Sequence, residues 1–421
     1  MTESTRRHPV QGIRNPWYWV PTLYLAEGIP YFIVTVLSIA LFKDLGESNA
    51  SIAFFTSLIT LPWVIKPIWS PFVDVIRTKR WWILLMQGLM FVSVALLAWL
   101  GPKGHFTLAL IFFTITAFAS ATHDIAADGF YMLALTDKQQ SAFVGIRSTF
   151  YKLANIFCQS GLLVLVGRLE RRMDVPAAWT ITLLVCSGIL AVIALWHVWA
   201  LPQESVDSNR GTTEGLWPQV WQTLVTFFQK EGIGLALTFM LLYRLPEALL
   251  LKLSLPFLRD GVEAGGLGLM QDGIGMINFV GIGLMLLGGI VGGLAAAKWG
   301  LKRVMLPMCL FLTLPCIVYC YLAAAQPQNF WITAACIGFE QLGYGLGYTA
   351  CMLYMIHFAE GPFRTAHFSI CTAVMFLGLM LPGLIAGWIE EQTGYLLFFW
   401  IVMLTCIPSV VVTLIVRRTL K

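Results

Sequence analysis

Long apolar runs separated by short polar breaks fill most of the chain, and their lengths predict helices that cross a membrane. Twelve runs come near the ~20 residues that traverse a bilayer's hydrocarbon core. They are Trp17–Phe42, Ile52–Val73, Trp82–Leu100, Phe106–Leu135, Ala142–Val166, Trp179–Leu201, Ile233–Phe257, Leu267–Ala297, Val304–Ala325, Phe330–Phe358, Phe368–Trp388 and Tyr395–Val416. One connection differs from the rest. It opens polar at Pro202 (PQESVDSNRGTTEG), and then Leu216, Val220, Leu224 and Phe227 recur at helical spacing beside Trp217 and Trp221. This predicts an amphipathic helix, either lying on the cytoplasmic interface or packed on the protein as a linker. The chain thus divides into residues 1–201, a linker at 202–232 and residues 233–421, with six apolar runs on each side.

The two sides echo each other. The polar loop Ser70-PFVDVIRTKRWW after the second run has its counterpart in Gly293-LAAAKWGLKR after the eighth, and DKQQSAF after the fourth is matched by EGPFRTAHF after the tenth. The register is the same in both pairs, which points to an internal duplication. With both termini inside, sixteen Lys/Arg fall in cytoplasmic segments and six in external loops, so the positive-inside bias predicts an N-in, C-in topology. The one external exception is the basic stretch Arg168-LER-Arg172. The expectation is an all-α membrane protein of twelve transmembrane helices in two six-helix pseudo-repeats.

Composition agrees. Hydrophobic residues make up 58% and charged residues 12%, about half the charge of a soluble domain. The residues before Trp17 contain no apolar core, so a cleaved signal peptide is not expected. Nine cysteines all lie within apolar runs with no CxxC, which suggests neither a disulfide framework nor a zinc site. A net charge of +5 without a basic tail excludes a nucleic-acid partner.

Against this background the intramembrane charges carry the chemistry, because each costs at least ~2.5–3.5 kcal/mol and must face protein or water. Asp124 and Asp128 are one turn apart in the fourth run, with Tyr131 next along the same face. Taking Lys138 as the tip of the following loop, Asp128 and Arg147 lie at matching depths of roughly 14–15 Å. Asp124 and Tyr151 match one turn deeper. This predicts an Asp128–Arg147 ion pair and leaves Asp124 as the freer acid, suited to carry a proton. Glu27 lies mid-run beside Gly28 and Pro30, and Glu340 lies mid-run beside Gln341. Arg244 and Glu247, three apart, are expected to neutralise each other. Tyr24, Tyr131, Tyr151 and Tyr243 can stack on a sugar or a base while hydrogen-bonding. Lys152, Lys252 and Asp272 read as packing, gate or surface charges, and His123 as a helix-packing residue.

The pattern Gly293-x6-Gly300-x-Lys302-Arg303 resembles the cytoplasmic loop signature of the major facilitator superfamily, and Asp74 with Arg77 occupies the equivalent place in the first half. Leu61-PWVIKPIWSPFV-Asp74, together with Thr122-HDIAADG-Phe130, resembles the branch of AmpG-type muropeptide permeases and acetyl-CoA transporters. The resemblance implies a substrate cavity lined by the first, fourth, seventh and tenth helices, all of which carry an acid here. It implies a conformational latch formed by Asp74, Arg77, Gly293, Gly300, Lys302 and Arg303. Lys66 belongs to the family motif and reads equally as a latch or as a site residue.

Together these readings predict a proton-coupled secondary transporter of the cytoplasmic (inner) membrane, monomeric and without a cofactor, moving a polar, partly anionic small molecule. Proton coupling falls to Asp124, Asp128, Glu27 and Glu340. Substrate binding falls to Arg147, Tyr151, Tyr131, Tyr24, Arg244, Glu247 and Gln341. By resemblance the solute is a muropeptide-type peptidoglycan fragment, with a siderophore or an acetyl-CoA-like nucleotide thioester as the alternative. No ATP-binding P-loop occurs. A metal-dependent intramembrane enzyme built on His123, Asp124 and Asp128 is the competing class.

Overall fold

Among the described residues, apolar length alone makes ten stretches able to cross a bilayer: Pro16–Asp44, Asn49–Val73, Lys79–Lys103, Phe106–Ala134, Gly145–Glu170, Val175–Ala200, Ile233–Arg259, Gln271–Trp299, Leu301–Ala325 and Ala366–Thr419. The computed structural model describes residues 15–203, 216–361 and 363–420, without the side chains of a few helix positions, among them Asp74, Leu216, Trp217 and Val220. These residues are almost wholly helical, and no strand occurs among them. Helix Phe330–Phe358 is as long as the others, but Glu340, Gln341 and its tyrosines and glycines lower its hydropathy. Large apolar side chains such as Leu195, Leu294 and Leu404 face outward, as lipid contact requires.

The last stretch, Arg364–Thr419, is two helices in direct succession, and their break at Gly394 (φ 73, ψ 163) falls in the gap expected between Trp388 and Tyr395. That backbone lies in the left-handed half of φ space, which glycine adopts without Cβ strain, so a single residue performs the turn.

Two helices near the centre are locally widened. In the first crossing stretch Pro30 removes a backbone donor, and residues Ile33–Leu37 form a π-helical turn directly after it. In the fifth, Phe157–Leu162 does the same. The two helices cross closely: a Cβ on Gly28 would sit 2.6 Å from that of Ala154, so only glycine fits there.

The sequence echo reappears in the backbone. Gly300 ends helix Gln271–Trp299 at φ +78, and Arg77 takes φ +63 at the equivalent place in the first half. The linker helix is present at Leu216–Phe228, and its last turn packs on the protein rather than lying free. Phe227 is fully buried with its ring 5.5 Å from His367 and 6.0 Å from Phe358, while Trp221 is exposed. The expected apolar stripe positions Leu216 and Val220 have side chains outside the described residues.

Arg77 holds a conformation that costs a non-glycine residue about 1–2 kcal/mol. Arg77→Gly should therefore melt at or above the wild-type temperature in detergent, whereas the β-branched Arg77→Val should melt below it.

Candidate functional site

The 3.6-residue period of helix Phe106–Ala134 stacks Ser120, Asp124 and Asp128 on one face, so each acid meets a different neighbour. Arg147, on helix Asp137–Ile156, places Nη2 2.7 Å from Asp128 Oδ1, the pair that depth arithmetic predicts. Tyr24 donates to the same oxygen at 3.0 Å, and the Arg147 guanidinium lies 4.3 Å from the Tyr24 ring and 5.1 Å from that of Tyr131. Asp128 is thus held by a donor and a cation whose own charge is stabilised by two aromatic faces.

Asp124 corrects the sequence reading. It is not the freer acid, because Lys66 Nζ lies 2.5 Å from its Oδ2. The second crossing stretch bends between Leu58 and Leu61 and then continues as helix Leu61–Val75 with prolines at 62, 67 and 71. This carries Lys66 against the fourth helix. Lys66 thus lies in the wall of the candidate site, paired with Asp124.

Of the candidate proton carriers, Glu27 and Glu340 have no ion pair among the described residues. Glu27 is buried, and its Oε2 has no hydrogen-bond partner among the described residues. It adjoins Asp124 along a cavity of about 60 Å³ lined by Glu27, Tyr31, Lys66, Asp124, Tyr151 and Phe376, with Trp63 and Ser120 completing the wall. The Tyr31 ring is 5.1 Å from Trp63, 6.3 Å from Tyr151 and 6.5 Å from Phe376. Phe376 reaches the cavity from helix Arg364–Thr419, so the later helices complete a site built mainly by the earlier ones. Glu340 is buried and accepts a 3.0 Å bond from Gln341, with no ion pair among the described residues.

A second cluster repeats the chemistry. Helix Ile233–Leu242 stops before Pro246 and restarts as Leu245–Arg259, and Arg244 sits at the break. Its guanidinium forms a two-pronged pair with Glu247, one prong at 2.7 Å, and donates to Tyr344 Oη at 3.1 Å. It lies 5.0 Å from the Tyr348 ring and 5.7 Å from that of Tyr344. Each half of the molecule therefore holds an arginine paired with an acid and resting on two tyrosines.

Of the expected substrate-binding residues, only Tyr151 lines the cavity. Tyr24 and Tyr131 pack behind it, the latter donating to the Gln140 carbonyl at 2.6 Å; Arg147, Arg244, Glu247 and Gln341 also lie outside the lining. Sequence reasoning missed Tyr31, Trp63, Ser120 and Phe376 in the wall, and Tyr344 and Tyr348 under Arg244. Tyr31, one turn beyond Glu27, and the i, i+4 tyrosines following Glu340 were the available signals. Tyr243, by contrast, is a core residue that donates to Gly347 O.

His123 points away from the acids toward Gln87 (3.0 Å), which in turn meets His197. It cannot join Asp124 and Asp128 around a metal, and no group of three potential ligands occurs among the described residues. Of the expected latch, the Asp74 side chain lies outside the described residues. Arg77, Lys302 and Arg303 are exposed, and no ion pair involves them among the described residues. Gly293 is helix-internal with open space beside it.

One end of the molecule is clasped shut. Asp44 is fully buried and accepts from Arg259 (2.6 Å), Gln271 (2.8 Å) and Trp179 (2.9 Å), and Arg259 also reaches Glu170. Lys43 pairs with Asp260 at 2.7 Å, Tyr395 donates to the same Asp260, and Asn49 bonds Glu390 and Tyr395. Arg171 pairs with Asp272. Glycines let the backbones meet there: a Cβ on Gly387 would strike the Asn49 carbonyl, and one on Gly167 the Asp272 amide. Among the described residues no ion pair joins the opposite ends of these helices.

A family model of the Major Facilitator Superfamily matches residues 23–292 and 250–421. The chain is 24% identical over 416 residues to the anhydromuropeptide permease of Escherichia coli K12, covering 95% of this chain and 79% of that one. Its fold is similar to that of a nucleoside transporter, NupG (TM-score 0.71, 14% identity, 96% and 99% covered). It is equally similar to a D-xylose-proton symporter (TM-score 0.72, 11% identity, 94% and 95% covered). With its apolar helices, these likenesses make the chain a multi-pass protein of the inner membrane.

Lys66→Met leaves Asp124 enclosed beside Glu27 with no cation and should lower stability in detergent. The double variant K66M/D124N should recover part of that loss, with a coupling of about 1–3 kcal/mol in a double-mutant cycle of thermal or denaturant melts. Strictly additive losses would show that the two side chains do not interact.

Proposed function

Because the chain belongs to the Major Facilitator Superfamily, we propose that it is a proton-coupled secondary transporter that imports a muropeptide-type peptidoglycan fragment by alternating access. Counting Phe330–Phe358 as a crossing and the interrupted last segment as two gives twelve helices, in six-helix halves at 1–201 and 233–421 joined by the linker. With both termini inside, the clasp lies on the external face and the conformation is closed to the outside.

The observation that carries the proton coupling is Glu27. Three acids (Glu27, Asp124, Asp128) share the first-half site with two cations (Lys66, Arg147), so charge balance in a poorly solvated interior calls for one proton. Glu27, adjoining Asp124 and lacking a cation of its own, is its carrier. Glu340, likewise without a cation, is a second candidate in the later half. The wall suits a sugar-peptide solute. Tyr31, Trp63 and Tyr151 offer aromatic faces to a pyranose ring, and Lys66 offers a cation to a carboxylate. The name of the Escherichia coli relative supports the same solute class.

Proteoliposomes loaded at alkaline pH should accumulate labelled anhydromuropeptide when placed in acidic medium. Glu27→Gln should abolish that accumulation while preserving solute counterflow, since exchange needs no net proton movement. Accumulation by E27Q at the wild-type level removes Glu27 as carrier. Absence of counterflow in the wild type rejects the solute.

A further inference from the structure

Lys252 stands outside the charge balance just described. It lies on helix Leu245–Arg259, is 7% exposed, and has Thr56 Oγ1 at 3.3 Å as its hydrogen-bond partner. Thr56 commits its own hydrogen to the Ile52 carbonyl at 2.7 Å, so it can only accept from the amine. The lysine stem is clamped by Gly383, where a Cβ would lie 3.2 Å from Cε, beside a buried Ser57 hydroxyl with no partner among the described residues. Among those residues no carboxylate lies within ion-pair distance of the amine.

The surroundings offer no counter-charge. Helix Asn49–Leu58 contains no ionisable residue. On the lysine's own helix, Glu247 is held by Arg244, and Arg259 by Asp44 and Glu170; Asp260, just beyond the helix, is held by Lys43 and Tyr395. Lys43 and Asp44 at the end of the first crossing stretch, Glu390 on Arg364–Thr419 and Asp272 on Gln271–Trp299 all belong to the clasp. The amine therefore sits in an enclosed seam where three helices meet, between the clasp and the cavity.

An ammonium enclosed without a counter-charge is strongly disfavoured, whereas the same group in water is not. We propose that Lys252 is a proton-sensing residue of this seam, taking up a proton from clasp-side water as the seam parts and returning it there as the seam closes. The proton goes back to the side it came from. Lys252 therefore sets the balance between closed and open conformations and adds nothing to the protons carried with the solute. Opening binds a proton, so acid on the clasp side favours the open seam and alkali the closed one. The inference rests on the alternating-access reading above but not on the identity of the solute or on Glu27.

The test is a distance measurement. Spin labels at Glu47→Cys and Glu263→Cys, one on each side of the clasp, are followed by pulsed dipolar spectroscopy in nanodiscs from mildly acidic to alkaline pH. Cys336, the one native cysteine that is not buried, is first replaced by Ser. In the wild type the open-to-closed ratio should rise as pH falls, by up to about tenfold per unit. Lys252→Met should abolish that response, and Lys252→Arg, which cannot shed its charge, should hold the seam open at every pH. Glu27→Gln should keep the wild-type response. The proposal is overturned if K252M responds like the wild type, if K252R closes as fully as the wild type, or if the wild type shows no response. If E27Q alone loses the response, it belongs to the cavity acids and Lys252 has no part in it.

Discussion

Charge neutrality inside a low-dielectric bundle is the constraint on which this structure turns. Every ionised group kept from water needs a partner within reach, and helix geometry decides who that partner is. Asp128 and Arg147 meet because their helices are antiparallel around one tight turn. Lys66 meets Asp124 because the second crossing stretch bends and brings a lysine inward. Arg244 and Glu247 meet because a helix break lets residues three apart form a two-pronged pair. What remains after these pairings is a short set of groups whose protonation is free to follow conformation.

Much of this was legible in the chain. Apolar run lengths gave nearly all the crossing helices, and the depth match of Asp128 with Arg147 needed only the rise per residue and one loop tip. The Lys66–Asp124 pair was not legible in the same way, because counting residues from a helix end assumes a straight helix, and the bend between Leu58 and Leu61 breaks that assumption. The clasp escaped for a different reason. Asp44, Glu170, Arg259 with its neighbour Asp260, and Glu390 are spread over four crossing stretches, and charge counting by sidedness records their number but not their convergence. The last connection lies where the run lengths put it, and Gly394 makes its turn in one residue.

The internal echo has structural content as well. Arg77 and Gly300 adopt positive φ at equivalent places, and each half carries an arginine held by an acid and resting on two tyrosines. The halves have diverged where it matters: the cavity is walled mostly by the earlier helices, with Phe376 as the contribution from the later ones. The site is lopsided, and the aromatic contact of Tyr31 with Phe376 is where the two contributions touch.

The size of that cavity has a consequence of its own. At about 60 Å³ it holds a few waters, whereas pockets for small organic ligands run to roughly 300–1,000 Å³. The proposed sugar-peptide solute is larger than this space. Space for it has to be created by separating Tyr31, Trp63 and Tyr151 from Phe376, so binding and separation are one event. Dehydration of the bath should then act on this protein as a brake, through the work of swelling a closed interior.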